Sequence, residues 1–151
     1  TNVYPAINQN STQMAVRYTY GGKQYYQIYN LAKGRFINPR NPVKRICLSA
    51  TSGDFQGFDL YGTSIYTIEG SPRKSFLLGY DRSRRYQPTK IRRYNYAVRS
   101  KKTITVRGAK TLSFREPEGI KVLAGGQIYM MYVSNTLTNQ SCNIYRVKRK
   151  I

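Results

Sequence analysis

Gln13-Met14-Ala15-Val16-Arg17-Tyr18-Thr19-Tyr20, then Gly21-Gly22, then Lys23-Gln24-Tyr25-Tyr26-Gln27-Ile28-Tyr29 is the stretch that decides the fold. Runs rich in tyrosine and β-branched residues suit a pleated, half-buried strand. A Gly-Gly pair between two such runs supplies the positive φ values of a tight hairpin turn. The stretch therefore reads as antiparallel strands Gln13–Tyr20 and Gln24–Tyr29 joined by Tyr20-Gly21-Gly22-Lys23.

The same pattern continues outward. Further strands are predicted at Lys44–Ala50, Phe58–Tyr61, Ser64–Ile68, Ser75–Tyr80, Ile91–Val98, Thr103–Arg107, Thr111–Arg115, Gln127–Val133 and Asn143–Lys150. Asn38-Pro39-Arg40-Asn41-Pro42 is a loop, because two prolines bar a central strand. Glu116-Pro117-Glu118-Gly119 and Gly125-Gly126 read as turns. No 3.6-residue apolar pattern persists, so helix is confined to short pieces near Tyr29–Lys33 or Asp81–Tyr86. Gln127–Val133 is apolar at every position after Gln127 and is expected to be a central strand covered on both sides. In the strand from Ile91, Arg92, Tyr94, Tyr96 and Val98 share one face. Arg93, Asn95, Ala97 and Arg99 share the other, more polar one, which is expected to face water. Many short strands at regular spacing suggest a sandwich, a jelly roll or a trefoil, and the lack of a threefold repeat weakens the last.

Charge points to a partner. The 151 residues carry 26 Lys+Arg against 6 Asp+Glu and no His, a formal +20. Solubility alone needs a net charge of roughly 2–8. A field of this size draws polyanions: nucleic acid, sulfated glycans or an anionic membrane surface. Residues 73–110 hold 13 of the 26 basic residues, with Asp81 as the sole acid there. Arg146, Lys148, Arg149 and Lys150 form a second cluster. Tyrosines interleave with these cations, as in Arg92-Arg93-Tyr94-Asn95-Tyr96, and a tyrosine ring can stack on an unpaired base. With 15 Tyr and no Trp, most of the rings must nonetheless pack strand faces.

Other chemistries find little footing. Without His, the commonest general base and zinc ligand are missing. There is no P-loop, no G-x-G-x-x-G and no G-x-S-x-G. Glu116 and Glu118, two apart, could form an acid–base pair, but their Pro-Glu-Gly context reads as a turn with solvated or arginine-paired acids. No catalytic residue, metal site or cofactor is expected. No apolar run reaches the roughly 18 residues of a membrane span. Thr1–Pro5 lacks the charged and apolar regions of a secretory signal, which leaves a removed leader or basic arm open. Cys47 and Cys142 are read either as a disulfide closing a long loop or as two buried thiols. Asn10-Ser11-Thr12 and Asn139-Gln140-Ser141 match the glycosylation pattern.

The C-terminal third carries a resemblance. Lys110–Phe114, a turn, Gly126–Ser134, a short loop and Asn143–Val147 resemble the closing strands of single jelly-roll coat proteins of very small viruses. The likeness is to small circular single-stranded DNA plant viruses and satellite-like viruses in particular. Arg92–Val106 resembles the basic middle strands of that family. The Arg-rich N-terminal arm usual there is missing from this sequence.

The chain length and the lack of a linker give one all-β domain over residues 1–151, and the resemblance implies an antiparallel sandwich of jelly-roll type with about eight main strands. It implies a capsid protein that self-assembles into a small icosahedral shell, in the virion and in the host cell during assembly. Other copies of itself and nucleic acid would be its partners. Phosphate contacts would come from Arg84, Arg85, Arg92, Arg93, Arg99, Lys101, Lys102, Lys148, Arg149 and Lys150. Two further readings stand beside it. One is a secreted, basic, disulfide-linked β protein binding glycans or receptors; the other is a nuclease working without His.

Overall fold

The computed structural model describes residues 3–49, 54–71, 88–112, 115–135 and 139–151. The predicted strand Ser75–Tyr80 and the predicted helix Asp81–Tyr86 lie outside these residues. What the described chain builds is an all-β antiparallel sandwich of three sheets.

Sheet A contains β1 (Tyr4–Ile7), β2 (Gln13–Tyr20), β3 (Lys23–Asn30) and β4 (Lys44–Ser49). Sheet B contains β5 (Phe55–Tyr61), β6 (Ser64–Glu69), β7 (Thr89–Asn95) and β8 (Ser100–Val106). Sheet C places β10 (Gln127–Asn135) between β9 (Glu116–Leu123) and β11 (Gln140–Arg146). Within each sheet, neighbouring strands are consecutive in sequence, so each sheet is a local meander. The hairpin read from Gln13–Tyr29 is present: Tyr20 faces Lys23 across Gly21 and Gly22, at φ 55° and 71°. Two consecutive positive φ values are what a twist-matched two-residue turn needs, and glycine supplies them without a Cβ clash.

Sheet B is the middle layer. Successive side chains on a strand point to opposite faces. Ile65 therefore joins Phe58 and Leu60 against Ala15, Tyr26, Ile28 and Ile46 of sheet A. Tyr66 and Ile68 join Ile91 against Val122, Ile128, Met130, Tyr132 and Val147. Every residue of β6 is consequently buried. The doubly covered strand is Ser64–Glu69, not Gln127–Val133. β10 is central within its own sheet, but only Ile128, Met130 and Tyr132 enter a core, while Tyr129, Met131 and Val133 are half-exposed on the outer face.

Four other expectations change. Glu116–Gly119 is not a turn but the start of β9. The register with β10 jumps from Met131↔Gly119 to Tyr132↔Pro117, which leaves Glu118 as the extra residue of a bulge. An edge strand with a bulge is where a sheet tolerates proline. The strand from Ile91 ends at Asn95, and Tyr96–Arg99 turn the chain back into β8. Tyr29 and Asn30 finish β3, so no helix forms at Tyr29–Lys33, and a 3-10 turn at Ala124–Gly126 is the sole helical element among the described residues. Thr111 and Leu112, placed in a strand by the sequence pattern, form no strand. No helix among the described residues is long and apolar enough to cross a membrane.

Candidate nucleic-acid interface

The basic strand β7 divides its cations between two clefts. Its even residues point toward sheet A and its odd residues toward sheet C, so neither face is simply wet. This corrects the expectation that the face of Arg93 and Asn95 lies in water: Ile91, on that face, is fully buried.

The first cleft opens where the β4 side of sheet A splays from the β7–β8 side of sheet B, and it encloses about 340 Å³. Leu48, Ile65 and Tyr94 give it apolar walls; Gln24 and Thr67, both buried, give it polar groups at depth. Arg92 and Lys101, on the Tyr94 face, bring the charge; Lys102 also lines the cleft but pairs with Arg93, so its side chain leaves the other face of β8. Lys101 Nζ sits 5.9 Å from the centre of the Tyr94 ring, within cation–π range. The Tyr26 hydroxyl donates to Gln24 Oε1 at 3.2 Å, fixing the carboxamide. Burial pushes that tyrosine's pKa up to about 12, against the opposing pull of Arg17, so it remains a donor through the physiological range.

Arg92 plays a double part. Its Nε donates to Glu69 Oε1 at 2.8 Å, and Thr67 Oγ1 reaches the same carboxylate oxygen at 3.4 Å. Part of its charge is spent inside the protein.

The second cleft lies on the other side of β7, between Tyr66, Arg93, Gly125, Gly126 and Lys150. Arg93 Nε donates to Ser64 Oγ at 3.0 Å, and its guanidinium lies 6.0 Å from the Tyr66 ring centre. Burial raises the Tyr66 hydroxyl's pKa, with Arg93 opposing. Lys150 Nζ donates to the Gly125 carbonyl at 2.8 Å. The fold thus brings the middle basic cluster and the C-terminal one to a shared cleft, which their separation in sequence hides.

The remaining candidates fall elsewhere. Arg99 is exposed at the tip of the β7–β8 hairpin, and Lys148 and Arg149 are exposed in the tail after β11. Arg84 and Arg85 lie outside the described residues. Not every other cation is on the surface either. Arg17 is buried with its guanidinium 3.5 Å from the Phe55 ring centre, and Arg115 is buried beside Tyr132 and Thr89.

The sequence placed Tyr94 among tyrosines interleaved with cations that could stack on a base, but gave no sign of Gln24, Leu48 and Thr67. They come from three strands on two sheets, and no local pattern announces such a meeting. Cys47 on β4 and Cys142 on β11 are both free and exposed, which removes the buried-thiol reading and leaves no bond between them. Asp59 is buried but taken: Val122 N donates to Oδ2 at 2.7 Å and Lys121 Nζ to Oδ1 at 2.9 Å. Glu118 has its pKa raised by burial and then by the neighbouring Glu116. Glu116 itself accepts from Gln56 Nε2 at 3.3 Å. Among the described residues no group of His, Cys, Asp and Glu is arranged to hold a metal ion.

No family model matches this chain, and no curated protein matches it.

Proposed function

We propose that this chain is a coat protein that self-assembles into a closed shell and packages nucleic acid through its phosphates. The observation that carries the proposal is the placement of Arg92 and Lys101 around Tyr94 in one cleft of a +20 chain. The charge is not cancelled locally. The buried acids Asp59 and Glu69 already have internal partners in Lys121 and Arg92, so they do not offset the exposed Arg99, Lys101, Lys102, Lys148 and Arg149. Packing such subunits side by side is repulsive unless a polyanion neutralises them, and an enclosed genome does so. Binding through phosphates is largely independent of sequence. For subunit contact, the outer face of sheet C offers half-exposed Met131 and Val133 beside Ile144, which is 71% exposed.

Light scattering on a sizing column, read with the ultraviolet absorbance ratio, tests the proposal. A megadalton particle with co-purified nucleic acid is expected. A 17.4 kDa monomer free of nucleic acid would overturn it in favour of a secreted binder.

A further inference from the structure

We propose that the cleft between β4 and β8 takes an unpaired nucleobase of a single-stranded nucleic acid, with Lys101 and Lys102 on the flanking phosphates. This inference rests on the nucleic-acid reading above and adds to it the strandedness of the ligand and the group it inserts.

The lining decides between a phosphate and a base. A phosphate gains nothing from Leu48, Ile65 and the Tyr94 ring; it needs only the cations at the mouth. A planar base gains from both parts. Its faces meet apolar and aromatic surface, a contact available to every base. Its edge meets the Gln24 carboxamide, whose Oε1 already accepts from Tyr26, and the Thr67 hydroxyl, which lies 3.4 Å from Glu69 Oε1. The size agrees: about 340 Å³ lies at the small end of ligand cavities, which run roughly 300–1,000 Å³.

The cations are placed for the rest of the nucleotide. Lys101 and Lys102 are exposed at consecutive positions of β8, so their side chains leave opposite faces of the strand. Lys101 lies over the Tyr94 ring on the cleft face, and Lys102 leaves the face it shares with Arg93. Duplex bases are stacked and paired, and cannot enter without being flipped out at a cost. The cleft therefore selects single strands.

The test is fluorescence anisotropy of the full chain, freed of co-purified nucleic acid, over a series of salt concentrations. The probes are an oligothymidylate and an abasic strand with the same number of phosphates. The oligothymidylate should bind about tenfold more tightly, as expected for one stacked base. The two salt slopes should match, because the phosphate count is the same. Tyr94→Leu should remove most of the oligothymidylate's advantage over the abasic strand. Equal affinities for the two strands, both steeply salt-dependent, would overturn the base pocket while leaving phosphate binding in place. Failure of both strands to bind would overturn the nucleic-acid reading as well. The comparison of the two strands stands on the unmodified protein, so it does not depend on the variant folding.

Discussion

Arg92 Nε lies 2.8 Å and 3.0 Å from the two carboxylate oxygens of Glu69, and the Glu69 side chain is 1% exposed. A carboxylate buried in the doubly covered strand β6 is thus held by a cation from the adjacent strand β7. The Arg92 side chain remains 34% exposed and forms part of the cleft wall. One residue therefore links the core to the candidate binding surface.

Removing Arg92 should harm the fold before it harms binding. Arg92→Ala leaves Glu69 charged and buried beside Thr67 alone among these partners. Breaking a fully buried pair costs roughly 3–5 kcal/mol; with Arg92 partly solvated, about 2 kcal/mol is expected. Adding Glu69→Gln to that variant should recover much of the loss, since the uncompensated charge is gone. Urea unfolding measures both. A midpoint unchanged in Arg92→Ala would show that the pair carries no stability.

The alternation of apolar and polar residues made the strands legible. Gln13–Tyr29 folds as read because its turn chemistry and strand pattern agree. The layering was not legible. Ser64–Glu69 carries Ser64, Thr67 and Glu69 while Gln127–Val133 is the more apolar run, so hydrophobicity pointed to the wrong strand as the one under two sheets. Glu116–Gly119 misled because proline and glycine mark turns in most contexts, whereas here a bulge on an edge strand absorbs both. The cations of the cleft were visible as a cluster in sequence. The partners that turn a basic patch into a pocket, Gln24, Leu48 and Thr67, became visible only once sheets A and B were placed face to face.

Tyr26 should make the protein sensitive to alkali. Its hydroxyl pKa is pushed up to about 12 from an ordinary value of 10.0, chiefly by burial. Between these values the unfolded chain loses a proton that the folded chain keeps. The folded state then binds more protons, so stability falls as pH rises through this window. Tyr26→Phe removes this contribution, together with the bond to Gln24. Its unfolding free energy should decline less steeply than that of the wild type above pH 10. Parallel declines in the two proteins would contradict the assignment.

Glu118 should act at the acid end with the same sign. Its pKa is raised above 4.5 by burial and by Glu116. As pH rises through the interval above that value, the unfolded chain gives up the proton first and stability is lost. Glu118→Gln should therefore be the more stable protein near neutrality, with the difference vanishing in acid. Thermal melts of both proteins across that range measure it. A variant less stable at neutral pH would mean that the carboxylate is engaged by a cation.

The two exposed thiols make a chemical prediction. Tyr25 and Cys47 face each other across β3 and β4, and hydrogen bonding to Cys47 is the first cause of the raised Tyr25 hydroxyl pKa. Cys142 lies on edge strand β11, opposite Val133. Both thiols should react with a water-soluble alkylating reagent in the native protein, and prior reduction should not change the count of labels. A count that rises only after reduction would reveal a disulfide and favour the secreted reading.

Salt dependence separates the cations that touch phosphate from those that build the protein. Each phosphate neutralised contributes roughly 0.7–0.9 to the slope of log affinity against log salt, depending on strandedness. Lys101→Ala and Lys102→Ala should each flatten the slope by about one unit without moving the unfolding midpoint, because both residues are exposed on an edge strand. Arg93 is already bonded to Ser64, and Lys150 to the Gly125 carbonyl, so their removal should change stability as well as slope. Lys148 and Arg149, exposed in the tail, should behave like the β8 lysines if the C-terminal cluster also meets the strand. A slope unchanged in a variant lacking Lys101, Lys102, Lys148 and Arg149 would place the nucleic acid elsewhere on the protein.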